Sequence, residues 1–129
     1  MAVFNWNKKF DVGMESIDKQ HKHFLDLLNN LDDIIQRNRD VKAVETAINE
    51  LFNYATIHFS TEEKILDARG YTEVGEQRQE HSLFLTRLKE MEVSNQGANR
   101  LLMGSVVSFA RDWFIQHITV EDQKYARAI

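Results

Sequence analysis

Apolar residues recur along this chain at alternating steps of four and three, the period of a helix that buries one face. In the first periodic stretch, 16–38, the stripe runs Ile17, His21, Phe24, Leu28, Leu31, Ile35. In the second, 41–68, it runs Val44, Ile48, Leu51, Ala55, His58, Glu62, Ile65. The third, 72–93, carries Val74, Gln77, His81, Phe84, Leu88, Met91. The fourth, 98–126, carries Leu102, Val106, Phe109 with Ala110, Trp113, His117 and then Asp122. Polar or glycine-containing breaks separate them at Asn38-Arg39-Asp40, Arg69-Gly70-Tyr71 and Asn95-Gln96-Gly97. With 0 prolines and 5 glycines, little else interrupts a helix. Connections this short favour antiparallel neighbours, so the expected fold is all-α, an antiparallel up-down-up-down four-helix bundle. The chain reads as one domain, 1–129, with a bundle over 16–126. An irregular N-terminal arm, 1–15, brings Trp6 and Phe10 to pack on it.

Each stripe contains polar residues where a helix normally puts core. Antiparallel packing brings the start of the first and third helices level with the end of the second and fourth. At a rise of about 1.5 Å per residue, His21, His58, Glu62, Gln77, His81, His117 and Asp122 then fall within a slab of roughly two turns. Burying that many polar groups without partners would cost several kcal/mol each, against a total stability of about 5–15 kcal/mol for a typical domain. A bound metal removes the conflict by using the lone pairs as ligands. The four imidazoles and two carboxylates are too many for one ion and suit two ions bridged by the carboxylates. Imidazole with carboxylate suits iron, manganese or zinc. His117 and Asp122 are five apart, about 140° around an ideal helix, so both reach the centre only through a local distortion such as a π-bulge.

Other residues read as solvated or as wall. His23 points about 200° away from His21, and Glu63, Glu80 and Glu121 are expected to face mostly outward. Phe24, Ala55 and Trp113 are core positions that would line the apolar pocket beside any open metal position. Composition narrows the chemistry further. The absence of cysteine leaves only nitrogen and oxygen ligands. A formal net charge of −4 argues against nucleic acid as a partner. No run approaches the roughly 18 apolar residues of a membrane span, and the start MAVFNWNKKF lacks the apolar region of a signal peptide. A cytoplasmic protein, off the membrane, is expected.

The residues that carry the chemistry also carry a resemblance that runs nearly end to end. They are Trp6-Asn7 with Gly13, Asp18 with His21, His58-Phe59 with Glu62, Tyr71 followed by Glu80-His81 and Phe84, and Trp113-Phe114 with His117 and Asp122. In this combination the chain resembles the bacterial hemerythrins. The resemblance implies a non-haem di-iron site, its two iron ions bridged by an oxo or hydroxo group, that binds O2 reversibly. It implies that His21 and His58 hold the iron with an open position, and that Glu62 and Asp122 bridge. His81 and His117 would serve the second iron. The family pattern places a third histidine on that second iron, four residues before His81, where this chain has Gln77. Gln77 is expected to bind weakly or to yield to water, leaving a weakened second iron site. The expected function is oxygen carriage, storage or sensing by a monomer whose partner is O2 or a related small ligand. The alternative is a di-iron enzyme or sensor acting on peroxide or NO.

Overall fold

The computed structural model describes residues 6–37, 41–94 and 100–128. Four long helices follow one another: α1 (Glu15–Arg37), α2 (Val41–Ala68), α3 (Val74–Ser94) and α4 (Arg100–Gln116). A π-helical turn, His117–Glu121, leads from α4 into a short α5, Asp122–Ala128. Helix α1 packs on α2 and α4, and α3 packs on the same two, the neighbour order of an up-down-up-down bundle. Among the described residues there is no strand, and no helix is long and apolar enough to cross a membrane.

The breaks at 38–40 and 95–97 lie outside the described residues, as does the side chain of Leu102. The break at Arg69-Gly70-Tyr71 is a helix stop with a defined cause. Gly70 adopts φ +74°, a conformation that costs a side-chain-bearing residue but not glycine. The Gly70 amide donates to Asp67 O and the Tyr71 amide to Leu66 O, closing the paired bonds that end a helix in a left-handed residue. Tyr71 then packs in one cluster with Leu66, the apolar contact that accompanies such a cap.

The core follows the stripes with local differences. Every stripe position of α1 is buried, as are Val44, Ile48, Leu51, Ala55, His58 and Glu62 on α2. One turn further on, Leu66 takes the buried place and Ile65 is half-buried. On α4 the buried positions among the described side chains are Val106, Val107, Ala110 and Phe114, while Phe109 and Trp113 are half-buried toward α3. A main cluster fills the bundle, and a smaller one of Val12, Ile17, Leu66, Tyr71 and Tyr125 closes the end that holds the polar stripe residues. The arm is irregular apart from one 3-10 turn, Lys8–Phe10. Phe10 is buried with Trp6 edge-on at 5.3 Å. Gln123 Nε2 donates to Lys9 O and Asp11 O, and the Val12 amide donates to Asp18 Oδ1, so the arm is tied to both α5 and α1.

Candidate metal centre

Seven polar side chains meet near one end of the bundle: His21 from α1, His58 and Glu62 from α2, Gln77 and His81 from α3, His117 and Asp122 from the chain that follows α4. All are at most 3 % exposed. Their donor atoms form two groups, His21–His58–Glu62 and Glu62–His81–His117, each within 4.8 Å, with Glu62 common to both. Asp122 straddles the same two groups. Its Oδ2 lies 3.3 Å from His21 Nε2 and its Oδ1 lies 3.1 Å from His117 Nε2. The π-helical turn is what allows this. It closes the five-residue step between His117 and Asp122 to about one turn, so both side chains face the centre.

The donor spacing also suits ligands around a metal. His81 and His117 aim their Nε2 atoms at each other, 3.0 Å apart, and His81 Nε2 is 3.0 Å from Glu62 Oε1. Metal–nitrogen bonds of about 2.1 Å at right angles place neighbouring donors about 3.0 Å apart, the spacing seen here. His21 Nε2 is near Asp122 Oδ2 at 3.3 Å and Glu62 Oε2 at 3.7 Å, yet it is aligned with neither for a hydrogen bond. His21 Nε2, Glu62 Oε1, Gln77 Oε1 and Asp122 Oδ2 are buried and find no hydrogen-bond partner among the described residues. Groups of this kind cost free energy unless something else takes their lone pairs. Bound cations would do so, and the nitrogen and oxygen donors of these residues fit them.

The outer nitrogens are held in the complementary sense. His58 Nδ1 is 2.6 Å from Gln20 Oε1, His81 Nδ1 is 2.8 Å from Glu63 Oε2, and His117 Nδ1 is 3.0 Å from Glu80 Oε1. Each oxygen accepts the Nδ1 proton, which fixes the tautomer that leaves Nε2 free as a donor to metal. Tyr125 completes the surroundings of Glu62, its hydroxyl donating to Oε2 at 2.7 Å.

Charge is balanced internally. Burial alone would lower the His21 imidazole, but Asp122 and Glu62 outweigh it and hold it up to about 9. Burial likewise opposes His117, and Asp122 with Glu80 raises it to about 10. Burial dominates at His58 and lowers it to about 3. Burial would raise Glu62, but the His21, His81 and His58 imidazoles around it hold it well below the usual carboxylate range. Asp122 is held low by His117 and His21 against burial and the nearby Glu62 charge. Removal of bound metal would leave the two carboxylates to be balanced by protons on His21 and His117.

The chain has relatives among known proteins. A model of the hemerythrin HHE cation binding domain matches residues 12–129. The chain belongs to the hemerythrin family. It is 30% identical over 129 residues to a bacteriohemerythrin of Pseudomonas aeruginosa, covering 100% of this chain and 83% of that protein. It is 29% identical to one from Stenotrophomonas maltophilia, covering 98% and 81%. The crystal structure of a wild-type hemerythrin superposes with a TM-score of 0.85 at 23% identity, covering 98% of this chain and 97% of that one, which shows a common fold.

Within this hemerythrin fold, the structure brings together every polar stripe residue singled out from the sequence. The apolar surroundings are less simply placed. Phe24 stacks on Phe114 at 4.1 Å, and Phe114 stands edge-on to His21 at 5.5 Å. Ala55 is fully buried one turn before His58. Trp113 lies on the other side, its ring stacked on the His117 imidazole at 4.4 Å and half-buried. Phe59 stacks on His81 at 4.0 Å. The hydrophobic pattern gave no site role to Phe114, Phe59, Tyr125 or Gln20, and placed Glu63 and Glu80 as mostly outward-facing. Glu63 and Glu80 each flank a stripe ligand in sequence, a signal that would have drawn notice to them. His23 is exposed, as expected, with its ring against Tyr54.

Proposed function

We propose that this chain is a non-haem di-iron protein that binds O2 reversibly, as a carrier, store or sensor. The observation that supports it most is the sharing of Glu62 by two ligand groups, with Asp122 reaching the same two. His21 and His58 would hold one iron, His81 and His117 the other, and Glu62 and Asp122 would bridge them. Iron bound there supplies a redox-active Lewis acid able to take a diatomic ligand. The protein's own part is to shape and dry the site. Phe24 and Phe114 wall the His21 side with apolar rings, which admit a small apolar molecule and keep water away from it. The acidic balance of the chain, −4, fits a small neutral ligand better than a nucleic acid. We read the protein as a cytoplasmic monomer.

Gln77 stands where the hemerythrin pattern carries a further histidine. Its Nε2 donates to Asp122 Oδ1 at 3.1 Å while its Oε1 is buried without a partner. An amide oxygen is a weaker donor than imidazole, so the iron on the His81–His117 side is held less tightly than a histidine at this position would hold it. Gln77→His is expected to increase the iron that survives challenge with a chelator.

A second reading, turnover of peroxide or NO, draws on the same residue. A groove of about 480 Å³, lined in part by Phe84, Phe109, Trp113 and Gln116, reaches His117 from the surface on that side. One experiment separates the two. Protein loaded anaerobically with ferrous iron is cycled between O2 and argon, and the visible spectrum is followed. Reversible binding predicts a band that appears with O2, disappears under argon and returns over repeated cycles. A band that does not return, together with steady consumption of added peroxide or NO when a reductant is supplied, would overturn it in favour of turnover.

A further inference from the structure

The outer partners of the four histidines are not alike, and the difference runs along the axis of the site. On the side that contains Gln77, both imidazoles lean on carboxylates: His81 on Glu63 at 2.8 Å and His117 on Glu80 at 3.0 Å. On the opposite side, His58 leans on the neutral amide of Gln20 at 2.6 Å. His21 Nδ1 is buried and has no hydrogen-bond partner among the described residues. An imidazole whose N–H is held by an anion shares that proton and becomes a more basic, stronger donor through its other nitrogen. The two negative outer partners therefore stand on the side where an amide occupies a ligand position.

We propose that Glu63 and Glu80 are positioning residues that offset Gln77: by strengthening His81 and His117 as donors, they keep the second metal in a site with one imidazole fewer. This rests on the paired-metal reading above. Glu80 makes the cleaner case. Its carboxylate is 38 % exposed and meets the His117 Nδ1 atom at 3.0 Å. Glu63 also receives Arg78, whose Nε lies 3.5 Å away and which pairs with Asp67 as well, so part of its charge is already engaged. Glu80 is therefore the larger contributor, and Gln77 and Glu80 are energetically coupled although no bond joins them.

The test is a cycle of four proteins: the parent, Glu80→Gln, Gln77→His and the double variant. Glu80→Gln keeps the size and the acceptor oxygen and removes the charge. Iron dissociation constants come from competition with a chelator, the reduction potential of the loaded site from redox titration, and folding of the metal-free forms from circular dichroism. In the parent background, Glu80→Gln should weaken the second iron by about 10–100-fold, the usual range for an outer-shell partner, and should raise the reduction potential because ferric iron loses donation. In the Gln77→His background both effects should shrink to a small part of that. Equal losses in the two backgrounds would overturn the compensation, and so would an unchanged affinity in the parent. The parent's own stoichiometry separates the two readings. If it does not bind a second iron, the paired-metal reading itself fails. If it binds two and the cycle is additive, only the role given to Glu63 and Glu80 fails.

Discussion

Glu62 is the residue on which most of the site converges. One carboxylate oxygen accepts from Tyr125 at 2.7 Å, the other lies 3.0 Å from His81 Nε2, and both ligand groups include it. Its burial is affordable only because opposite charge surrounds it, as protons on imidazoles or as metal. Glu62→Ala should therefore remove a ligand from both metal positions at once. Iron bound per chain should fall from about two to below one, while the helical content measured by circular dichroism remains. Two irons retained after desalting would show that Glu62 does not bridge. Asp122 is its counterpart, but its position depends on the turn that carries it, a property of the next scale.

Along the helices, what a period can show and what it cannot are clearly separated. The seven inward polar residues were legible because each sits on a stripe with four or five apolar neighbours that fix its direction. The π-helical turn was legible because a five-residue step cannot otherwise bring His117 and Asp122 to one face. Trp113 and Phe114 were not separable: they lie four and three residues before His117, and both spacings fit a helical stripe. Phe114 is the one that points in, with 1% of its surface exposed. Glu63 and Glu80 were illegible for a different reason. Each lies about 100° off its own stripe, and only the neighbouring helix supplies the imidazole that occupies it. The Phe24–Phe114 stack, 4.1 Å between centroids, is the contact through which α1 and α4 meet beside His21. Phe114→Ala should cost about 3–5 kcal/mol, the range for emptying a buried aromatic site, read from chemical denaturation of the metal-free protein. A loss below about 1 kcal/mol would mean that the wall is not packed as described.

For the molecule as a whole, the metal-free site is a store of protons. His21 and His117 titrate near 9 and near 10 in the fold, and at about 6.5 in the unfolded chain. Between these values the folded state binds more protons than the unfolded one, so stability falls as pH rises. Their contribution is complete below about pH 6.5 and is lost as pH passes through 9 to 10. The His58 shift acts in the opposite direction, since its folded value near 3 lies below the unfolded one. It favours unfolding as pH falls below about 6.5, and the low values of Glu62 and Asp122 add to that loss in stronger acid. Melting temperatures of metal-free protein should peak near neutrality and fall toward pH 10. A flat profile from pH 7 to pH 10 would contradict the pairing. Metal bound at neutral pH must displace the same protons, so holo protein should melt higher and depend less on pH in this window. The most direct test of the paired centre is the iron count. Metal-free protein is titrated anaerobically with ferrous iron, freed of excess by gel filtration, and analysed for iron per chain. The account predicts a plateau at about two, the number that the two ligand groups sharing Glu62 would hold. A plateau at one, or no retained iron, would contradict it.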